Sequence, residues 1–215
     1  TVEIPEGVTK LKDYTFYNCT GIEEVKIDGE VEVGAGVFYT FGNCTGIKKL
    51  TLPISMDYQG NPSYPIFNKT TGITEVYLKK GTGIGTNLGS GEGQRTPWYY
   101  SRNNEINVTL EEGITSIGTY MFYDCIGLKT INIPNTVKNI GNSAFSGCKE
   151  LNIELRLSEN LEKLGSYAFY NCSNITGDFA LSDKLTYLGE ATFYNCSKLT
   201  GTVTIPTSIS KIYSL

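Results

Sequence analysis

Six cysteines and no histidine limit the chemistry open to this 215-residue chain. An even number of thiols in a secreted protein is ordinarily read as a disulfide framework. Here all six fall at one place in a recurring pattern, three residues after an aromatic: Phe16/Cys19, Phe41/Cys44, Phe122/Cys125, Phe145/Cys148, Phe169/Cys172 and Phe193/Cys196. Thr and Ser fill the same place in Phe67/Thr70 and Trp98/Ser101. A position that accepts Cys, Thr or Ser reads as a small core slot, so the expectation is a ladder of six reduced, buried thiols. Metal ligation has no support, because imidazole is absent and no two cysteines lie closer than 23 residues.

Catalytic arrangements fare no better. A Ser or Cys nucleophile lacks its usual base. The carboxylate pairs Glu23-Glu24 and Glu111-Glu112 are adjacent in sequence, so on a strand they point to opposite faces and cannot flank one substrate. The glycine-rich run from Gly81 to Gly93 matches no phosphate-binding spacing and reads as a surface loop. Seven N-x-[ST] sequons occur, at Asn18, Asn43, Asn68, Asn107, Asn171, Asn174 and Asn195, but several follow from the Asn-Cys-Thr/Ser of the pattern itself. The net charge of -4 is thinly spread, and the longest basic runs are the pairs Lys48-Lys49 and Lys79-Lys80, which speaks against nucleic acid. No apolar stretch reaches the roughly eighteen residues of a membrane span. The reading is a non-enzyme with no cofactor, no nucleic-acid partner and no membrane insertion.

The elements that position these residues follow from the same periodicity. An alternating segment ends 11 or 12 residues after each aromatic, at Val25-Ile27, Leu50-Leu52, Val76-Leu78, Val108-Leu110, Ile131-Ile133, Leu155-Leu157, Phe179-Leu181 and Val203-Ile205. Period two over so short a run predicts a strand with one buried face. A turn follows, often with Pro, and then an apolar-x-x-apolar step such as Ile114/Ile117, Val137/Ile140, Leu161/Leu164 and Leu185/Leu188. Gly118, Gly141, Gly165 and Gly189 come next, where a bend with positive φ is expected. The aromatic-to-Cys segment is expected to be a short helical turn, with Asn or Asp before Cys bonding locally. One such unit cannot bury its apolar face alone, but stacked neighbours can.

Residues 114 to 134, ITSIGTYMFYDCIGLKTINIP, carry the pattern in full. They resemble the BspA-like leucine-rich-repeat family, and the likeness recurs along essentially the whole chain, departing where Thr70, Ser101 and Trp98 replace Cys and Phe. The expected fold class is a repeat solenoid: a right-handed curved leucine-rich-repeat superhelix, β-rich, with one parallel strand and a short helical turn per unit, in about eight units. Residues 1–215 form a single solenoid domain, a fragment open at both ends, with irregular insertions at 28–40, 53–66 and 79–97. The resemblance implies an extracellular or cell-surface protein of host-associated microbes whose signal peptide has been removed. Some family members bind extracellular-matrix proteins.

Function is therefore expected to be adhesin-like binding of a protein, such as host extracellular matrix, or of a glycan; the alternative is a structural spacer with no specialised face. Two surfaces are candidates. From strand end to next aromatic the chain takes 12 residues in five units, but 14, 15 and 20 in three consecutive ones, so three bulges should stack into one patch. That patch holds Phe38, Met56, Tyr58, Tyr64, Trp98, Tyr99 and Tyr100, aromatic anchors of the kind that dominate interfaces. The concave strand face is the second candidate, with Glu24, Lys26, Lys49, Glu75, Tyr77, Asn107, Thr109, Asn132, Glu154 and Arg156 pointing outward. Tyrosines beside the repeat aromatic, such as Tyr17, Tyr123, Tyr170 and Tyr194, pack an outer wall. Both ends cut the pattern open, so weak end-to-end self-association is also expected.

Overall fold

A computed structural model describes residues 1–29, 31, 38–55, 65–81, 96–178, 180–200 and 203–212. Its strands are β1 (Val2–Ile4), β2 (Glu24–Ile27), β3 (Lys49–Pro53), β4 (Glu75–Lys79), β5 (Ile106–Leu110), β6 (Ser116–Ile117), β7 (Leu128–Ile131), β8 (Asn139–Ile140), β9 (Lys163–Leu164), β10 (Gly177–Asp178), β11 (Tyr187–Leu188) and β12 (Leu199–Thr200). Every pairing between them is parallel, and the principal sheet runs β1-β2-β3-β4-β5-β7, one strand per repeat. Val25, Leu50, Val76 and Val108 stand in register with their side chains in the core, while Glu24, Lys49, Glu75 and Asn107 form the adjacent outward row. Alternation by two thus separates core from surface along this sheet, as the sequence predicts.

Beyond β5 the sheet departs from that pattern. The pairing of β5 with β7 shifts register between Ile106 and Asn107, and β7 ends at Ile131 rather than running to Ile133. Asn132 causes the ending: its side-chain oxygen accepts the Leu110 N–H at 2.8 Å and its Nδ2 donates to the Leu110 carbonyl at 2.9 Å. A side-chain amide thereby takes the place of the next backbone rung. Leu155–Leu157 and Val203–Ile205 form no strand. The expected strand Phe179–Leu181 is only partly described, since 179 lies outside the described residues; Leu181 is not in a strand. Instead a second parallel sheet, in the order β6-β8-β9-β11, is built from the second residue of each apolar-x-x-apolar step.

The glycines after those steps do not have positive φ, contrary to expectation. Positive φ among the described glycines occurs at Gly113, Gly147 and Gly177. Close approach of neighbouring units requires Gly141 and Gly165 instead: a Cβ on Gly141 would sit 2.5 Å from the Thr119 nitrogen, and one on Gly165 2.5 Å from the Asn142 nitrogen. Positive φ lies on either side of the repeat aromatic, at Tyr14 and Asn18, Tyr39 and Asn43, Tyr120 and Asp124, and Tyr167 and Asn171. Asn and Asp tolerate that conformation better than most residues, which explains their place before Cys.

Between these two bends the aromatic-to-Cys segment runs as turns bonded to the next unit. Tyr120, Phe122 and Asp124 donate their N–H groups to the carbonyls of Asn142, Ala144 and Ser146 at 2.7–3.0 Å, and Tyr167, Phe169 and Asn171 repeat the arrangement two units later. Tyr99–Ser101 is a 3-10 turn, the one helical element among the described residues. Inside, the aromatic rings stack in two columns, Phe16-Phe41-Phe67 and Trp98-Phe122-Phe145-Phe169-Phe193, with centroids 5.0–5.7 Å apart. Leu, Ile and Val from the strands complete one continuous core with them.

Candidate functional site

On the concave face the outward residues of β2 to β5 surround a shallow groove of about 500 Å³ lined by Glu24, Lys49, Thr51, Glu75, Tyr77, Asn107 and Thr109. Tyr77 stands at the middle of one row, between Thr51 and Thr109 in register, and is 38% exposed. The ions around it are paired, between units for Lys49 with Glu75 at 2.9 Å and Lys26 with Glu3 at 3.2 Å, and within β2 for Lys26 with Glu24 at 3.7 Å. A hydrogen bond to Glu75 raises the pKa of Lys49, and one to Glu3, reinforced by Glu24, raises that of Lys26. Both remain ammonium ions, and the groove presents alternating charge with no dominant sign. Asn107 is engaged too, accepting from Thr130 Oγ1 at 2.7 Å.

Other concave residues separate from this group. Asn132 is committed to capping Leu110 and is structural in that role. Glu154 and Arg156 lie past the end of the principal sheet, joined to each other at 3.1 Å. The structure therefore brings Glu24, Lys49, Glu75, Tyr77, Asn107 and Thr109 into one groove and leaves Glu154 and Arg156 apart.

The insertion patch is only partly described. Met56, Tyr58 and Tyr64 lie outside the described residues, as do 82–95 of the longest insertion. Phe38, Tyr99 and Tyr100 are half-buried. Trp98 is a correction: at 1% exposure it belongs to the ring column, stacked on Phe122 at 5.2 Å, and offers no surface to a partner. Its size fits the repeat-aromatic slot, which is why the same sequence position suggested both roles. Tyr99 packs edge-on to Tyr100, and the Arg102 guanidinium covers its ring at 4.3 Å.

The same repeat geometry dominates comparisons with known proteins. The sequence pattern of the BspA-type leucine-rich-repeat region matches residues 1–88 and 97–215 in six copies. This chain belongs to the BspA-type leucine-rich-repeat family. Among solved structures, a leucine-rich-repeat protein of T. pallidum is similar at 19% identity and a TM-score of 0.50, over 93% of this chain and 77% of that one. A leucine-rich-repeat protein from Bacteroides ovatus is similar at 20% identity and a TM-score of 0.54, over 97% of this chain and 55% of its own length. These likenesses concern the fold. Among curated proteins none matches the chain in sequence.

Within this BspA-type solenoid the cysteine slot has a second property that the sequence reading missed. Cys44, Cys148, Cys172 and Cys196 direct Sγ at the carbonyls of Phe16, Phe122, Phe145 and Phe169, at 2.9–3.1 Å, so each thiol donates to the previous unit's aromatic residue. Thr70 Oγ1 makes the same bond to the Phe41 carbonyl at 3.1 Å, and Ser101 Oγ donates to the Thr70 carbonyl at 2.8 Å. The signal was present in the sequence, because Cys, Thr and Ser share a donor as well as small size. Burial pushes the thiols of Cys125 and Cys196 up to about 12 and raises those of Cys44 and Cys148, so they stay protonated and unreactive. Cys19 corrects the six-thiol ladder: it is exposed, and five thiols are buried. The described residues contain no group of three or more potential metal ligands and no helix long and apolar enough to cross a membrane.

Two asparagine contacts also went unread. Asn43 Nδ2 donates to Asn18 Oδ1 at 2.7 Å and Asn195 Nδ2 to Asn171 Oδ1 at 3.0 Å, so four of the sequon asparagines tie units together. On the outer wall Tyr14, Tyr17 and Tyr39 cluster, and Tyr170 stacks on Tyr194 at 4.9 Å. Ser143 and Ser146, both buried, stand where Tyr120 and Tyr123 do one unit earlier and interrupt the column.

Proposed function

We propose that this chain is the interaction module of a secreted or cell-surface protein and that it holds a protein partner, such as an extracellular-matrix component, on its concave face without catalysing a reaction. The observation that carries this reading is the Tyr77 groove, an exposed ring on β4 between Thr51 of β3 and Thr109 of β5 with paired charges around it. Tyrosine supplies large contact area at low entropic cost and retains a hydroxyl for hydrogen bonding, which suits a binding centre. Membership of the BspA-type leucine-rich-repeat family supports the same reading.

The test is capture of immobilised matrix proteins by the whole chain, measured beside its thermal transition. Tyr77→Ala is expected to weaken capture by a factor corresponding to about 2 kcal/mol, with the transition almost unmoved. Removing eight residues between 81 and 93, which restores the common spacing of 12, should leave capture intact. The reverse outcome would assign the partner to the insertion patch around Phe38, Tyr99 and Tyr100. No capture from the panel would favour the spacer, and capture insensitive to both changes would give the partner to another face.

A further inference from the structure

The ladder of the concave face stops at β7, and the next two turns meet out of step. A bridge joins Glu154 to Thr176, which are 22 residues apart, whereas Phe145 and Phe169, which stack in the core, are 24 apart. Leu155 donates to the Thr176 carbonyl at 2.9 Å, and there the two segments diverge. No hydrogen bond engages the backbone of Arg156, Leu157, Ala180 or Leu181 with any described residue. Contact resumes only at the following turn, where Ser182 Oγ donates to the Glu159 carbonyl at 2.7 Å and Lys184 Nζ reaches Asn160 Oδ1. Between these two closures lies a cleft of about 540 Å³ lined by residues 155–160 and 180–184.

Three properties select what this cleft can hold. Its walls include the backbone of Arg156–Leu157 and Ala180–Leu181, whose N–H and C=O groups bond to no described residue, and such groups are obligatory hydrogen-bonders that need a partner when water is displaced. Its ionic lining balances, Arg156 and Lys184 against Glu159 and Asp183, so neither anions nor cations are favoured overall. It is closed at both ends, by the Glu154–Thr176 bridge and by the Ser182–Glu159 bond, so an extended peptide, which would have to run on past them, does not fit. A compact, uncharged ligand whose groups both donate and accept meets all three conditions, and hydroxyl groups do both.

We propose that this cleft binds a single neutral saccharide ring, whose hydroxyls bridge the unpaired backbone of Arg156–Leu157 and Ala180–Leu181. Arg156, held by Glu154 at 3.1 Å and largely exposed, stands at its mouth and is the side chain placed to bond a further hydroxyl. The site is separate from the Tyr77 groove, so the two assignments stand or fall independently.

Backbone-amide NMR of the whole 215-residue chain tests it, with the methyl glycosides of glucose, galactose, mannose and N-acetylglucosamine as probes. At least one should give saturable shifts centred on the Leu157 and Leu181 amides, with a dissociation constant on the order of 1–10 mM, as suits a few hydrogen bonds. Those amides, which bond to no described residue, should then exchange more slowly with solvent. Arg156→Ala is expected to weaken the effect about tenfold while Tyr77→Ala leaves it unchanged; if Arg156→Ala does not fold, the wild-type shifts and exchange rates decide alone. No saturable shift with any of the four, or shifts spread over the surface, would overturn the proposal. So would stronger perturbation of the same amides by a neutral Val-Thr peptide, which would give the cleft to a strand.

Discussion

At Cys172 a buried thiol meets the Phe145 carbonyl at 3.0 Å, and at Thr70 a hydroxyl makes the corresponding bond to Phe41. A polar group in this slot therefore has a partner waiting, so Cys172→Ser should be tolerated better than Cys172→Ala, by about 1 kcal/mol, in urea unfolding. From size alone the opposite order follows, because a hydroxyl without a partner is costly; equal losses would mean that the bond contributes nothing. The ring beside it behaves as an anchor. Phe145 is fully buried between Phe122 and Phe169, whereas Tyr123 is exposed. Phe145→Ala should cost roughly 3–5 kcal/mol and Tyr123→Ala clearly less, measured the same way.

At the scale of elements, strand placement was legible wherever alternation and register agreed. Val25, Leu50, Val76 and Val108 were read as core and are core, because period two leaves one face to bury. The end of the sheet was not legible. Asn132 looks like an outward polar residue in an alternating run, and only its approach to Leu110 turns it into a stop. Glycine roles were misplaced for a related reason: a sequence shows that a Cβ is unwanted, but not whether φ or a neighbour forbids it. Gly165→Ala and Gly165→Asn should therefore both destabilise strongly, since either Cβ meets the Asn142 backbone. Gly147→Asn, at φ +81 and at the position that Asn171 and Asn195 hold in later units, should cost much less. Thermal midpoints of the three variants check this, and a tolerated Gly165→Asn would contradict it.

For the whole molecule, stacking brings like positions together, and with them their charges and thiols. Lys79 reaches Asp28, Lys129 reaches Glu150 and Lys138 reaches Glu162, all between units and all at the surface, where such pairs contribute little each. Thiols are the titrating groups that the fold perturbs most. Cys125 is raised from 9.0 to about 12 by burial, so the native state keeps a proton that the unfolded chain releases above about 9. Stability from this source is fully present below pH 9 and is lost as pH rises toward 12. Denaturation midpoints should fall across that window, and Cys125→Ser should fall less steeply; identical slopes would show that the burial is overstated. Thiol titration at neutral pH should find Cys19 alone reactive in the folded chain and six thiols after unfolding.

The sequence by itself determined the repeat, its aromatic anchor, the parallel stacking of its strands and the family, because each unit restates the same burial problem and only a solenoid solves it for all units at once. It also marked Tyr77 as an outward residue, since alternation fixes the face. Tertiary structure alone decided which outward residues share a groove, that Trp98 is spent in the core, and that Cys19 is exposed while Cys44, Cys148, Cys172 and Cys196 are bonded to the unit before. It alone decided as well that the concave ladder opens after β7. Those outcomes depend on the register between neighbouring turns, set by contacts such as Asn132 with Leu110 and Glu154 with Thr176 that join residues 22 apart. Periodicity within one unit carries no record of them.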